Sequence, residues 1–136
     1  RVKQHVHMID VFLEREGVEL TSDHAQLLPH GHCHQKALSN QKVTFDILNL
    51  PKNHKVSIIS SGCCGMAGSF GYEKEHYEVS MQIGELKLFP ALRKSPSEVV
   101  IAANGTSCRH QIFDGTKRKA LHPVSILRQA LLTSDF

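Results

Sequence analysis

The sequence predicts an α/β fold: a three-layer sandwich with a four-stranded, mostly parallel sheet and helices on both faces, in the Rossmann-like manner. Three observations lead to it. Short apolar runs alternate with stretches of helical periodicity, the pattern of strands joined by crossover helices. The run Val99-Val100-Ile101-Ala102-Ala103 is continuous rather than alternating, as a strand buried on both faces requires. Cys33, Cys63, Cys64 and Cys108 each follow an apolar run, and ligands of parallel sheets bind beyond the carboxyl ends of the strands.

In chain order, Val2, Val6, Ile9, Phe12 and Leu13 recur at helical spacing, and Gly17 stands where such a helix would stop. Gln26-Leu27-Leu28 reads as a strand ended by Pro29, ahead of the loop His30-Gly31-His32-Cys33-His34. From Gln35, the positions Ala37, Leu38, Val43, Phe45, Ile47 and Leu48 give a helical pattern closed by Leu50-Pro51. Lys55 to Ser60, with Val56, Ile58 and Ile59, is the second strand. Tyr72 to Leu88 carries Glu73, Glu75 and Glu78 early and Lys87 late, which complements a helix dipole, and Pro90 marks its far end. After the third strand, Val99 to Ala103, a short helical turn around Gln111 to Phe113 stops at Asp114-Gly115. Ala120-Leu121 is a brief fourth strand followed by His122, and Pro123 opens a closing helix through Val124, Leu127 and Leu131.

Composition bounds the function. The 136 residues suit a single domain with a real core. A net charge of +3 is too weak a balance to argue for nucleic acid. No apolar run approaches the roughly 18 residues that span a bilayer, so no transmembrane segment is expected. The expected location is cytoplasmic, or peripheral at the inner face of the membrane. Because the chain starts at Arg1, already inside a helical pattern, it reads as a piece of a longer polypeptide.

The chemistry centres on Ser61-Gly62-Cys63-Cys64-Gly65-Met66-Ala67-Gly68-Ser69-Phe70-Gly71, a glycine-rich turn at the exposed end of the second strand. Adjacent cysteines seldom bridge each other, because that ring is small and strained. In an oxidising compartment four cysteines admit three disulfide pairings; in a reduced one, clustered thiols more often serve metals or catalysis. Soft thiolates select iron-sulfur clusters, zinc and copper(I). Zinc is the alternative metal, although the usual Cys-x2-Cys spacing is absent. A third reading is thiol-disulfide chemistry at Cys63 and Cys64. Backbone N–H groups of the Gly65 to Gly71 loop could hydrogen-bond cluster sulfides, so Gly65 and Gly68 are read as cofactor-binding. The same glycines lack the Gly-x-Gly-x-x-Gly spacing of a dinucleotide site. His30, His32, His34 and His110 lie near cysteines, where a solvent-facing or hydrogen-bonding role is the ordinary one. Lys117-Arg118-Lys119 reads as a solvated edge.

These residues carry a family resemblance. The order Cys33, then Cys63-Cys64-Gly65, then Cys108 resembles the cysteine-rich CCG domain found in heterodisulfide reductase (its B subunit), in the iron-sulfur subunits of glycolate oxidase and anaerobic glycerol-3-phosphate dehydrogenase, and in lactate-utilisation proteins. His32-Cys33-His34-Gln35-Lys36-Ala37-Leu38, the double-cysteine turn and Gly105-Thr106-Ser107-Cys108-Arg109-His110-Gln111 look most like the C-terminal iron-sulfur segment of FAD-linked oxidases acting on D-2-hydroxy acids such as lactate. The resemblance implies that residues 1–136 form one CCG-type domain of a larger oxidoreductase, with Cys33, Cys63, Cys64 and Cys108 ligating an iron-sulfur cluster. It also implies FAD in another domain of the same chain or complex, and a quinone or cytochrome as acceptor. The fullest form of the motif ends Cys-x-x-Cys, whereas this chain has Gln111 at the last position. His32, His34, His110 and Gln111 are therefore expected as supporting or substitute ligands. The contrasting expectation is a structural zinc-binding or degenerate interaction domain.

Overall fold

Four parallel strands form one sheet in the order β2-β1-β3-β4 in a computed structural model that describes residues 4–5, 7–16, 25–38, 41–51, 53–59 and 62–130. The elements are α1 (Ile9–Glu16), β1 (Ala25–His30), α2 (Cys33–Leu38), α3 (Gln41–Leu48), β2 (His54–Val56), α4 (Tyr77–Leu86), α5 (Leu88–Lys94), β3 (Val100–Ala103), α6 (Thr106–Thr116), β4 (Ala120–Leu121) and α7 (Pro123–Gln129). The predicted α/β sandwich is therefore observed. Val2, Val6, Gly17, Ser60 and Leu131 lie outside the described residues.

Alternation along β3 divides the core. Ile101 and Ala103 pack on one face with Leu88, Phe89, Leu92 and Ile112 from α5 and α6, while Ala102 packs on the other with Leu27, Ile47, Leu48, Ile126 and Leu127. Right-handed crossovers require this division. The chain runs from β1 to β2 in one direction across the sheet and from β3 to β4 in the other, so α3 and α6 must lie on opposite faces. The direction of the chain reverses between β1 and β3, and ligands of such sheets usually bind beyond the carboxyl ends of the strands at that point.

Several boundaries differ from expectation, each for a physical reason. Pro29 does not end β1, which continues to His30. The Leu27 carbonyl accepts from Ser57 on the β2 side, so the missing Pro29 N–H faces the same side, where β2 has already ended at Val56. β2 is shorter than expected, and Ile58, 56% exposed, has left the sheet. The helical pattern after Gln35 forms two helices, of which α2 already begins at Cys33. The helix expected over Tyr72 to Leu88 starts instead with 3-10 turns at Phe70–Tyr72 and Lys74–His76, and its α-helical part ends at Leu86. Pro90 lies inside α5, in its first turn. A proline ring clashes with the carbonyl four residues back, here Leu86, so one continuous helix is impossible and the chain breaks at Lys87. Asp114-Gly115 also fails to stop a helix, since α6 runs on to Thr116.

α6 ends at Lys117, whose φ of 60° lies in the left-handed region that glycine adopts more readily. Lys117→Gly is expected to raise the unfolding free energy by about 0.5–1 kcal/mol, read as a higher urea midpoint with an unchanged slope. Beyond it, Arg118 is not a solvated side chain. Its guanidinium donates to the carbonyls of Leu92 (2.7 Å), Pro96 (3.0 Å) and Val99 (2.6 Å), tying the α5–β3 connection to β4. Among the described residues, no helix is long and apolar enough to cross a membrane.

Candidate metal centre

Three strand ends lead to the four cysteines. β1 leads through Gly31-His32 to Cys33, the first residue of α2; β2 leads to Cys63 and Cys64; β3 leads through Asn104-Gly105 to Cys108 in the first turn of α6. The sulfurs of Cys33 and Cys63 are 3.8 Å apart, and those of Cys64 and Cys108 are 3.3 Å apart. The two pairs lie near enough for the charge of Cys64 to act on Cys33 and those of Cys33 and Cys63 to act on Cys108, so they form one group. Its outer pair is exposed or part-exposed and its inner pair is buried; all four thiols are free.

Electrostatics distinguish the sulfurs. Cys64 is held well below the usual thiol range, chiefly by its hydrogen bond with Cys108 against the effect of burial, and with help from His30 and the Met66 backbone N–H. Cys108 is pushed up by the same shared hydrogen bond, then by burial and by the charges of Cys64, Cys33 and Cys63. The two opposite shifts belong to the coupled inner pair as a unit, since the two thiols titrate together. Burial raises Cys33, and the neighbouring Cys63 adds to the effect.

Backbone geometry shapes the turn around the sulfurs. Gly65 has φ +98°, a region side chains rarely adopt, and a Cβ there would collide with the Ser80 carbonyl oxygen. That conformation lets the Gly65 N–H donate to Cys63 Sγ at 3.3 Å. Gly68, also at positive φ (+73°), is exposed with open space around it. A Cβ at Gly105 would meet the His32 ring and stand 3.1 Å from Cys108 Sγ, so this glycine clears room beside the sulfur. Arg109 fastens the same turn, donating to the carbonyls of Ala103 (2.8 Å) and Asn104 (2.9 Å) and to Thr106 Oγ1 (3.0 Å).

The residues expected to assist the cysteines separate here. Gln111 is 1% exposed, and its amide nitrogen donates to the Cys64 carbonyl (3.1 Å) and Ser80 Oγ (2.8 Å). It braces the cysteine turn through the backbone. Gln111→Ala is expected to cost about 1–3 kcal/mol, because it removes the donor from two buried acceptors; thermal or urea unfolding measures this. The Nδ1 of His110 shares a hydrogen bond with the Tyr72 hydroxyl at 2.6 Å, on the exposed side of α6. The His32 ring lies against Gly105, and the side chain of His34 is outside the described residues. Three further residues belong to the site: Arg109, Ser80 and His30, the last with a ring nitrogen within 4.8 Å of the sulfurs of both Cys64 and Cys108. Their sequence signal is positional, since Arg109 follows Cys108 directly and His30 closes a strand.

The donor set fits a metal centre of soft character. Four free thiols meet at one rim, with a backbone N–H on a sulfur. Two thiolates bound at about 2.3 Å to one tetrahedral ion stand about 3.8 Å apart, and the observed separations of 3.3 and 3.8 Å are close to that spacing.

Fold and site together define a parallel α/β domain with a thiol-rich centre at its topological switch point. The chain is 32% identical over 102 residues to the C subunit of the anaerobic glycerol-3-phosphate dehydrogenase of Escherichia coli K12, covering 75% of this chain and 25% of that protein. It is 32% identical over 102 residues to the D-2-hydroxyglutarate dehydrogenase of Escherichia coli K12 (74% of this chain, 10% of that protein), and 32% identical over 128 residues to that of Pantoea ananatis (93% and 12%). These relatives are dehydrogenases, and the chain spans 25% or less of the length of each. No family model and no solved structure matches the chain.

Proposed function

We propose that this chain is the iron-sulfur electron-transfer segment of an oxidoreductase, with Cys33, Cys63, Cys64 and Cys108 as the cluster ligands. The observation that carries this reading is the meeting of four sulfurs from three strand ends within one group, its two close pairs 3.8 and 3.3 Å apart. A cluster held there would accept and release single electrons. The chain's own residues supply the rest. Cys64 is held below the usual thiol range by its hydrogen bond with Cys108, Gly65 donates to the Cys63 sulfur, and Gln111, bonded also to Ser80, braces the turn that presents both. The exposed outer pair leaves the centre open toward a partner.

In the whole protein, a flavin-containing domain of the same chain or complex would take a hydride from a D-2-hydroxy acid of the lactate or 2-hydroxyglutarate type. Electrons would then pass through this segment to a quinone or cytochrome. The dehydrogenase relatives support that setting. Iron and acid-labile sulfide analysis of the chain after anaerobic reconstitution, with its optical spectrum, tests the assignment. Iron and sulfide in stoichiometric amounts with broad visible absorption are expected. A single colourless zinc ion per chain, with no sulfide, would support the structural zinc alternative instead.

A further inference from the structure

The imidazole of His30 occupies the inner end of the sulfur group. We propose that His30 is itself a ligand of the metal centre, giving it a mixed thiolate and imidazole donor set and supplying the donor that Gln111 does not provide. This rests on the iron-sulfur reading above and extends it.

Three observations carry the inference. His30 is 1% exposed, and its ring nitrogen and the sulfurs of Cys64 and Cys108 all lie within 4.8 Å of one another. A mutual separation within 4.8 Å lets all three atoms reach one metal centre with little movement. The position is also fixed by the fold. His30 is the last residue of β1 and is in register with Ala103, whose side chain lies on the face that holds Cys64 and Cys108. Parity along the strand therefore sets the direction of the ring before any metal arrives. Lastly, the neighbouring candidates have other work: the Gln111 amide nitrogen serves the Cys64 carbonyl and Ser80, and His110 Nδ1 serves Tyr72.

On ligation the ring nitrogen facing the sulfurs gives up any proton it carries to solvent and donates its lone pair to the metal, with no change of oxidation state. A neutral imidazole leaves the centre less negative than a thiolate would and raises its reduction potential, as in other mixed sites.

The test uses the whole chain grown with 15N-histidine, loaded anaerobically with ferrous iron and sulfide, and brought to a paramagnetic state for pulsed electron paramagnetic resonance. The expected result is a strongly coupled 15N nucleus, lost in His30→Asn and retained in His32→Asn, His34→Asn and His110→Asn. A centre containing iron and sulfide but showing no coordinated 15N would remove His30 and leave the four-cysteine reading standing; so would a coupling that survives in His30→Asn. A chain that takes up neither iron nor sulfide would overturn both readings. Should His30→Asn fail to fold, the labelled wild-type chain and Asn variants of the other nine histidines decide the matter by elimination.

Discussion

Cys64→Ser is expected to abolish stable metal uptake by the reconstituted chain. Cys64 joins the two sulfur pairs, being adjacent to Cys63 and 3.3 Å from the Cys108 sulfur. A serine hydroxyl does not ionise near neutral pH and is a poor ligand for soft metals, so the substitution removes a ligand. Disturbing merely the outer partners of metal ligands costs roughly 10–100-fold in affinity, and losing Cys64 should cost more. Bound iron after desalting should fall to background while the circular dichroism of the fold is kept, since the substitution replaces a single atom and keeps the side chain's shape. Iron content equal to that of the wild-type chain would take Cys64 off the ligand list.

The second large effect is structural. Phe89→Ala is expected to destabilise the domain by about 3–5 kcal/mol. Phe89 is fully buried, and its ring fills the space left by Gly84 of α4 and Gly115 of α6; a Cβ at either glycine would run into it. The Arg93 guanidinium lies 5.9 Å from the ring centroid. Removing the ring opens a cavity where three helices meet, and helices held apart by a short connection cannot collapse fully into it. The urea midpoint should drop steeply with an unchanged slope. A loss below about 1 kcal/mol would show that the helices close over the gap.

Phe89 also explains one limit of reading this chain from its sequence. Asp114-Gly115 has the composition of a helix stop, yet Gly115 is there because the Phe89 ring leaves no room for a side chain. That reason lies in another helix and leaves no local trace. Pro90 is similar: its residue type announces a break, but whether the break falls before or after it depends on where α4 has already ended. The parallel sheet, by contrast, was legible, because continuous apolar runs need burial on both faces and parallel strands need crossovers. The meeting of Cys33, Cys63, Cys64 and Cys108 was legible for the same topological reason, as every one of them follows a strand. His30 escaped because its burial depends on strand parity continuing through Pro29, and a proline in a strand usually argues against that. The separate work of Gln111 and His110 is tertiary as well, set by Ser80 on α4 and by Tyr72.

The most direct measurement is a crystal structure of the anaerobically loaded chain with anomalous data collected at the iron edge. One compact anomalous peak is expected, bonded to the sulfurs of Cys33, Cys63, Cys64 and Cys108, beyond the carboxyl ends of β1 and β3. Iron seated elsewhere on the domain, or a peak that any of the four sulfurs fails to reach, would contradict it.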